Sequence, residues 1–210
     1  MKKTTLCVDL GNVLIRFDAT STKSLLKDGV LEDFLSCCLQ FDRGNINLTE
    51  MLREANEQYF SHHVPRTDFI AVLAQSIREI NQPMFYEILR FKERGRGELK
   101  MITDNNPFCF EMTVLKFPQV FELFRDNEKE NWIVSWEKKS LKRDVTLFHR
   151  AFSDLGFSPK EAVFVDDLPI NIESAKKAGF CASACFLYKL DDQKNQRQFE
   201  KFLNKHFPPK

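Results

Sequence analysis

The run Leu6-Cys7-Val8-Asp9-Leu10-Gly11-Asn12 constrains this chain more than any other segment. Apolar residues lead without alternation to one carboxylate, and a glycine follows two positions later. Such a run is buried on both faces, the condition of a strand inside a parallel sheet. In open α/β sheets, ligands bind at the carboxyl ends of strands. An aspartate placed there is a candidate nucleophile, metal ligand or both. The competing reading of this segment alone is a core strand whose last residue caps a helix.

A second acidic site decides between the two. Ala162-Val163-Phe164-Val165 is another apolar run, and it ends in Asp166-Asp167. Adjacent carboxylates at a strand end repel each other and call for a cation. Hard oxygen ligands favour Mg²⁺, held by one or two carboxylates, water and a substrate phosphate. A helical pattern, Ile172 to Ala178, follows Asn171 and stops at Gly179. Leu99 to Thr103 reads as a third strand, ending in a hydroxyl residue. Lys142 lies just before the helical pattern Val145 to Leu155. A hydroxyl and an ammonium are the donors that phosphoryl oxygens require.

In this order, Asp9, Thr103, Lys142 and Asp166-Asp167, the chain resembles the haloacid dehalogenase-type (HAD) hydrolases. It is similar to the small phosphatases with an Asp-Leu-Gly-Asn opening, of the glucose-1-phosphate phosphatase type. The resemblance implies that Asp9 is the nucleophile that forms an aspartyl-phosphate. It implies that Thr103 binds a phosphate oxygen and that Lys142 balances charge. Mg²⁺ would be held by Asp9, Asp167 and the Gly11 backbone carbonyl, with Asp166 adjacent and Asn171 in support. Asn12, Asp104, Asn105, Arg43 and Asn45 are candidate substrate contacts. The activity implied is Mg²⁺-dependent hydrolysis of a small phosphorylated metabolite.

Three positions depart from the family pattern. Gly11 stands where most of these phosphatases carry a second aspartate that protonates the leaving oxygen, a contribution of about 10²–10⁴-fold. Asp104 stands where asparagine is usual, and Arg143 where proline is usual. The alternative that these changes raise is a HAD-fold phosphate-binding or protein-interaction module that has lost turnover. A dehalogenase is a third reading, disfavoured by the acidic pair because that branch works without Mg²⁺.

The expected fold is α/β, a doubly wound parallel sheet of the Rossmann type with a small helical cap inserted after the first strand. The boundaries are 1–17 and 93–210 for the core and 18–92 for the cap. Within the cap, helices are predicted over Phe34 to Phe41, Leu48 to Phe60, Thr67 to Ile80 and Pro83 to Arg94, with no strand pattern among them. Asn47 and Glu50 have capping-box spacing. Trp132 and Trp136 flank a short strand, and Gln193 to Lys210 reads as a polar helix of modest amphipathicity.

A net charge of +1 gives no broad attraction to nucleic acid or membrane, so neither is an expected partner. No apolar stretch reaches the roughly 20 residues of a membrane span. Lys2 and Lys3 precede an apolar run that is too short for a signal peptide and is interrupted by Asp9. The six cysteines show no C-x₂-C pair. A reducing, cytoplasmic location follows as the expectation, with export by a route lacking an N-terminal signal left open. A monomer or weak dimer is expected. The 21 phenylalanines are read as core filling.

Overall fold

The structure is a computed structural model that describes residues 4–208. The predicted roles of Lys2, Lys3 and the Pro209-Lys210 end lie outside the described residues. Nine strands are present among them: β1 (Thr5–Val8), β2 (Ile15–Phe17), β3 (Ile77–Ile80), β4 (Glu98–Thr103), β5 (Arg125–Asp126), β6 (Lys129–Glu130), β7 (Trp132–Val134), β8 (Ala162–Asp166) and β9 (Cys185–Leu187).

Five of these form one sheet in the order β7-β4-β1-β8-β9, every pairing parallel. The register sets Val8 beside Met101 and Val165, so Asp9 and Asp166 follow at one level while β4 runs two residues past Met101 to Thr103. From β1 the chain moves outward through β4 to β7, then returns to the other side of β1 for β8 and β9. The direction of winding reverses beside β1, which is where a doubly wound sheet leaves a crevice at its carboxyl edge.

Both faces are covered, and the strand residues divide with period two. Leu6, Val8, Leu99, Met101, Val163 and Val165 face one core layer, and helices Gln82–Glu93, Pro107–Lys116 and Gln193–His206 pack on it. Cys7, Ile102, Ile133, Ala162 and Phe164 face the other, under helices Thr146–Leu155 and Pro169–Ala178. Phenylalanines fill both layers: Phe148 meets Phe164 edge-on at 5.0 Å, and Phe91 meets Phe207 at 4.8 Å. The C-terminal helix is more strongly amphipathic than its composition suggests, since Phe199 and Leu203 are fully enclosed.

Between β1 and β4 the chain makes a separate helical unit. Helices Leu31–Asp42, Leu48–Glu54 and Arg66–Ser76 enclose their own cluster around Phe34, Met51, Phe60 and Phe69. The Asn47 side chain accepts from the Thr49 and Glu50 amides, and Glu50 returns the bond to the Asn47 amide. The expected helix to Phe60 loosens into a π-turn at Ala55–Tyr59.

One correction concerns the joins. The expected helix to Ile80 stops at Ser76, and Ile77–Ile80 is a strand, β3, antiparallel to β2. Ile77 and Ile80 have helical spacing, yet Phe17 and Ile15 are their partners. Asp18 N–H donates to Ser76 C=O at 2.8 Å, and Asn81 N–H to Leu14 C=O at 2.8 Å, closing both ends of the ribbon. Helix Gln82–Glu93, which lies within the 18–92 boundaries except for its last residue, buries Met84, Ile88 and Phe91 in the sheet's core layer.

Candidate active site

Asp9 follows the last residue of β1 and is 5 % exposed. Its amide donates to Val165 C=O, and its Oδ1 accepts from the Leu10 amide at 2.7 Å. The chain then folds tightly. Leu14 and Ile15 amides both return to Leu10 C=O, and the Asn12 amide donates to Ile15 C=O at 2.7 Å. Asn12 adopts φ 51°, a conformation asparagine tolerates. Its Oδ1 accepts from the Phe17 amide at 3.1 Å, and its side chain also bonds Asp167. The turn keeps position 11 beside the nucleophile candidate and aims Asn12 toward the acidic pair.

Lys142 begins a short 3₁₀ turn and is 1 % exposed. Its ammonium lies 2.8 Å from Asp9 Oδ1 and 2.6 Å from Asp166 Oδ2. Burial alone would lower its pKa, but Asp166, Asp9 and Asp104 reverse this and raise it. The group is a fixed cation. Its amide donates to Asp104 Oδ1 at 2.9 Å. The Asp104 carboxylate therefore anchors the Lys142 turn.

Asp166 and Asp167 divide the work at the end of β8. Asp166 is fully buried and is held by Lys142, by Asn171 Nδ2 at 3.0 Å and by the Leu168 amide at 2.9 Å. Asp167 is half-buried and has Asn12 as a partner. One oxygen from each of Asp9, Asp166 and Asp167 falls within 4.8 Å of the others. Burial first, then mutual repulsion, raises the pKa of Asp9 and Asp167, with Lys142 opposing. Three hard oxygen donors around one buried cation leave negative charge uncompensated, and a divalent metal fits that donor set. Thr103, 1 % exposed, closes the row at the end of β4, one residue before Asp104.

The sequence expectation thus converges in space for Asp9, Gly11, Asn12, Thr103, Asp104, Lys142, Asp166, Asp167 and Asn171. Arg43 and Asn45 are engaged with other side chains. Arg43 pairs with Asp144 at 2.6 Å, and exposed Asn45 donates to Gln40 Oε1 at 2.7 Å. Their neighbour Asp42 is the turn residue that faces the site. A cavity of about 300 Å³ lies between the helical unit and the sheet edge, and Gly11, Asp42, Asp104 and Asn105 line it. Asp42 Oδ1 accepts from Asn106 Nδ2 at 3.0 Å, and its carbonyl accepts from Ser135 Oγ at 2.6 Å. Burial pushes its carboxyl up to about 7, with Asp104 adding and Asn106 opposing. Sequence reading passed over Asp42, Asn106 and Ser135. The available signal was that Asp42 opens the same turn as Arg43.

Gly11 has a backbone that other residues can adopt, since its φ is not positive. A Cβ there would meet Phe17 at 3.7 Å, an ordinary contact. The glycine is not required by the fold.

No protein-family model matches the chain, and no curated protein matches it by sequence. Solved structures do. The HAD family enzyme BT-2542 of Bacteroides thetaiotaomicron, solved with magnesium and inorganic phosphate, superimposes with a TM-score of 0.70 over 91% of this chain and 96% of its own, at 21% identity. A HAD-like family hydrolase of Porphyromonas gingivalis gives 0.74 over 96% and 98%, at 18% identity. A dehalogenase solved as an intermediate complex gives 0.62 over 91% and 87%, at 12% identity. At these identities the likeness establishes the fold, that of HAD-family enzymes. Among the described residues, no helix is long and apolar enough to cross a membrane.

Proposed function

We propose that this protein is a Mg²⁺-dependent phosphomonoester hydrolase that works through an aspartyl-phosphate. The observation that carries the reading is the buried Asp9–Lys142–Asp166 bridge, with Thr103 beside it at the next strand end. A magnesium and phosphate complex of a structural neighbour supports the choice of ion and ligand class. Asp9, Asp167 and the Gly11 carbonyl would hold Mg²⁺, which when bound neutralises phosphoryl oxygens and the acidic cluster.

The Asp9 carboxylate attacks phosphorus as the ester oxygen leaves, and water later cleaves the acyl-phosphate to return the carboxylate. Lys142 offsets the charge gathering on the phosphoryl group. Thr103 fixes one phosphoryl oxygen. Asp166 and Asn171 hold the lysine and the acidic loop in place, while Asp104 secures the Lys142 turn and Asn105 lines the entry. The insertion within 18–92 acts as a cap over the site, and Arg43 fastens its turn to the core. The free thiols fit a reducing cytoplasmic setting.

The test is phosphate release from a panel of phosphomonoesters with Mg²⁺. Release that vanishes in Asp9→Asn supports the reading, and none above that control across the panel sinks it. Gly11 favours one other reading, phosphate or partner binding without turnover. Calorimetry that detects Mg²⁺-dependent phosphate binding in a preparation that hydrolyses nothing would select it.

A further inference from the structure

We propose that the cavity beside the phosphoryl site takes an uncharged apolar group, so that the substrate class is a phosphate monoester of an aryl or alkyl alcohol rather than a sugar phosphate. This rests on the phosphohydrolase reading and narrows it. The cavity begins at Gly11, Asp104 and Asn105, which adjoin Asp9 and Thr103 in sequence, and runs from there into the helical unit. It is therefore where the leaving group of an ester held at Asp9 would lie.

Three observations select the occupant. The first is the wall. Phe17, Phe34, Phe41, Met51, Phe69 and Leu73 surround most of the space. Apolar surface of this kind gains from removing hydrocarbon from water, whereas a hydroxyl moved against it loses its partners.

The second is that most of the polar lining groups already have partners, the Thr22 hydroxyl and Asn105 Nδ2 being the exceptions. Ser76 Oγ donates to Leu73 C=O at 2.6 Å. Asn106 uses its Oδ1 on the Cys109 amide and its Nδ2 on Asp42. Asn105 Oδ1 accepts from the Asn106 amide at 3.0 Å. Asp42, Asp104, Asn105 and Thr22 can each meet a hydroxyl, but most hydroxyls of a hexose would face the carbon wall.

The third is charge. Asp42 and Asp104 both line the neck, and the cation among the cavity's described lining residues, Lys23, stands exposed at the rim. A leaving group carrying a second phosphate or a carboxylate would be repelled there. Gly11 agrees with the aryl members of this class, because a phenolic oxygen departs without the proton that position 11 cannot give.

The test uses phosphonates, which bind without being cleaved. Calorimetry with Mg²⁺ compares 3-phenylpropylphosphonate, 2,3-dihydroxypropylphosphonate and inorganic phosphate on the whole chain. The phenyl compound should bind roughly tenfold or more tighter than the dihydroxy compound. Leu35→Asp puts a charge on a half-exposed residue of the cavity wall. It should weaken the phenyl compound several-fold more than the dihydroxy compound. Equal or tighter binding of the dihydroxy compound, equal weakening by Leu35→Asp, or binding of neither phosphonate overturns the proposal. Inorganic phosphate reports the phosphoryl site separately. A preparation that prefers the phenyl compound yet releases no phosphate from any ester would defeat the hydrolase reading and leave the pocket assignment standing.

Discussion

The Lys142 ammonium reaches Asp166 Oδ2 at 2.6 Å across 24 residues of sequence, and both side chains are closed to solvent. The same ammonium touches Asp9. Lys142, which the sequence places only as lying just before a helix, is therefore a structural member of the sheet's carboxyl edge. Lys142→Ala should cost about 3–5 kcal/mol, because it leaves buried carboxylates unpaired. The melting temperature should fall clearly without metal, and Mg²⁺ should restore part of the loss. An unchanged melting curve would show that the bridge contributes nothing to stability.

The acidic cluster predicts a metal-linked stability. Mg²⁺ at about 100 times its dissociation constant should stabilise the native chain by roughly 2.7 kcal/mol. Asp167→Asn should abolish that gain. It should also raise the melting temperature of the metal-free protein, by relieving repulsion with Asp166 and Asp9. Thermal unfolding of both proteins with Mg²⁺ and with chelator checks this. A variant that still responds to Mg²⁺ as the native chain does would place the ion elsewhere.

Gly11→Asp should fold normally, since a Cβ there makes only ordinary contact with Phe17. It should speed hydrolysis of esters with poor leaving groups most, by up to about 10²–10⁴-fold. The measurement is log rate against leaving-group pKa for both proteins. A steep line for the native chain and a shallow one for the variant is expected. A flat native line would mean that protonation of the leaving oxygen does not limit the reaction.

Asp42 predicts a pH dependence of stability. Its carboxyl titrates near 3.8 in the unfolded chain and about 7 when folded, burial being the main cause. A raised carboxyl pKa means that folding takes up a proton between those values, so the cost of the buried charge is full above about pH 7 and fades toward pH 4. Asp104, pushed up to about 6 by burial, acts in the same direction. Asn106 and Arg143 face Asp42 and oppose the shift. The metal-free protein should melt at higher temperature at about pH 5.5 than at about pH 8. Asp42→Asn keeps the acceptor for Asn106 and should flatten the upper part of that rise. Parallel curves for the two proteins would refute the assignment.

Strand ends were legible because burial on both faces leaves an unbroken apolar run, and an acid after such a run stands out. Asp9, Thr103 and Asp166 were found in this way. Asn47 and Glu50 were legible because a capping box is local. The ribbon of β2 and β3 was not. Ile77 and Ile80 fit a helical face equally well, and only a partner some 60 residues away makes them a strand. Asp42 was missed for the same reason, since its meaning comes from Asn106 and Ser135 across the cavity. Lys142 was found by its order among the motifs. Its burial was invisible, because nothing in Ser140 to Asp144 records that two carboxylates surround it.

The paired joins of the helical unit have a mechanical consequence. The chain leaves the sheet along β2 and returns along β3, and the two passes are hydrogen-bonded to each other. Separate tethers would let the unit drift in any direction. A ribbon resists stretching and in-plane bending and yields most easily to a swing out of its own plane. The unit is thereby reduced to one hinge axis, with Arg43–Asp144 and Asp42–Ser135 as the latch on the opposite side. In the proposed hydrolase, entry of substrate and escape of alcohol would then be one motion, and opening the cavity at Gly11 would release the turn that carries Asp42.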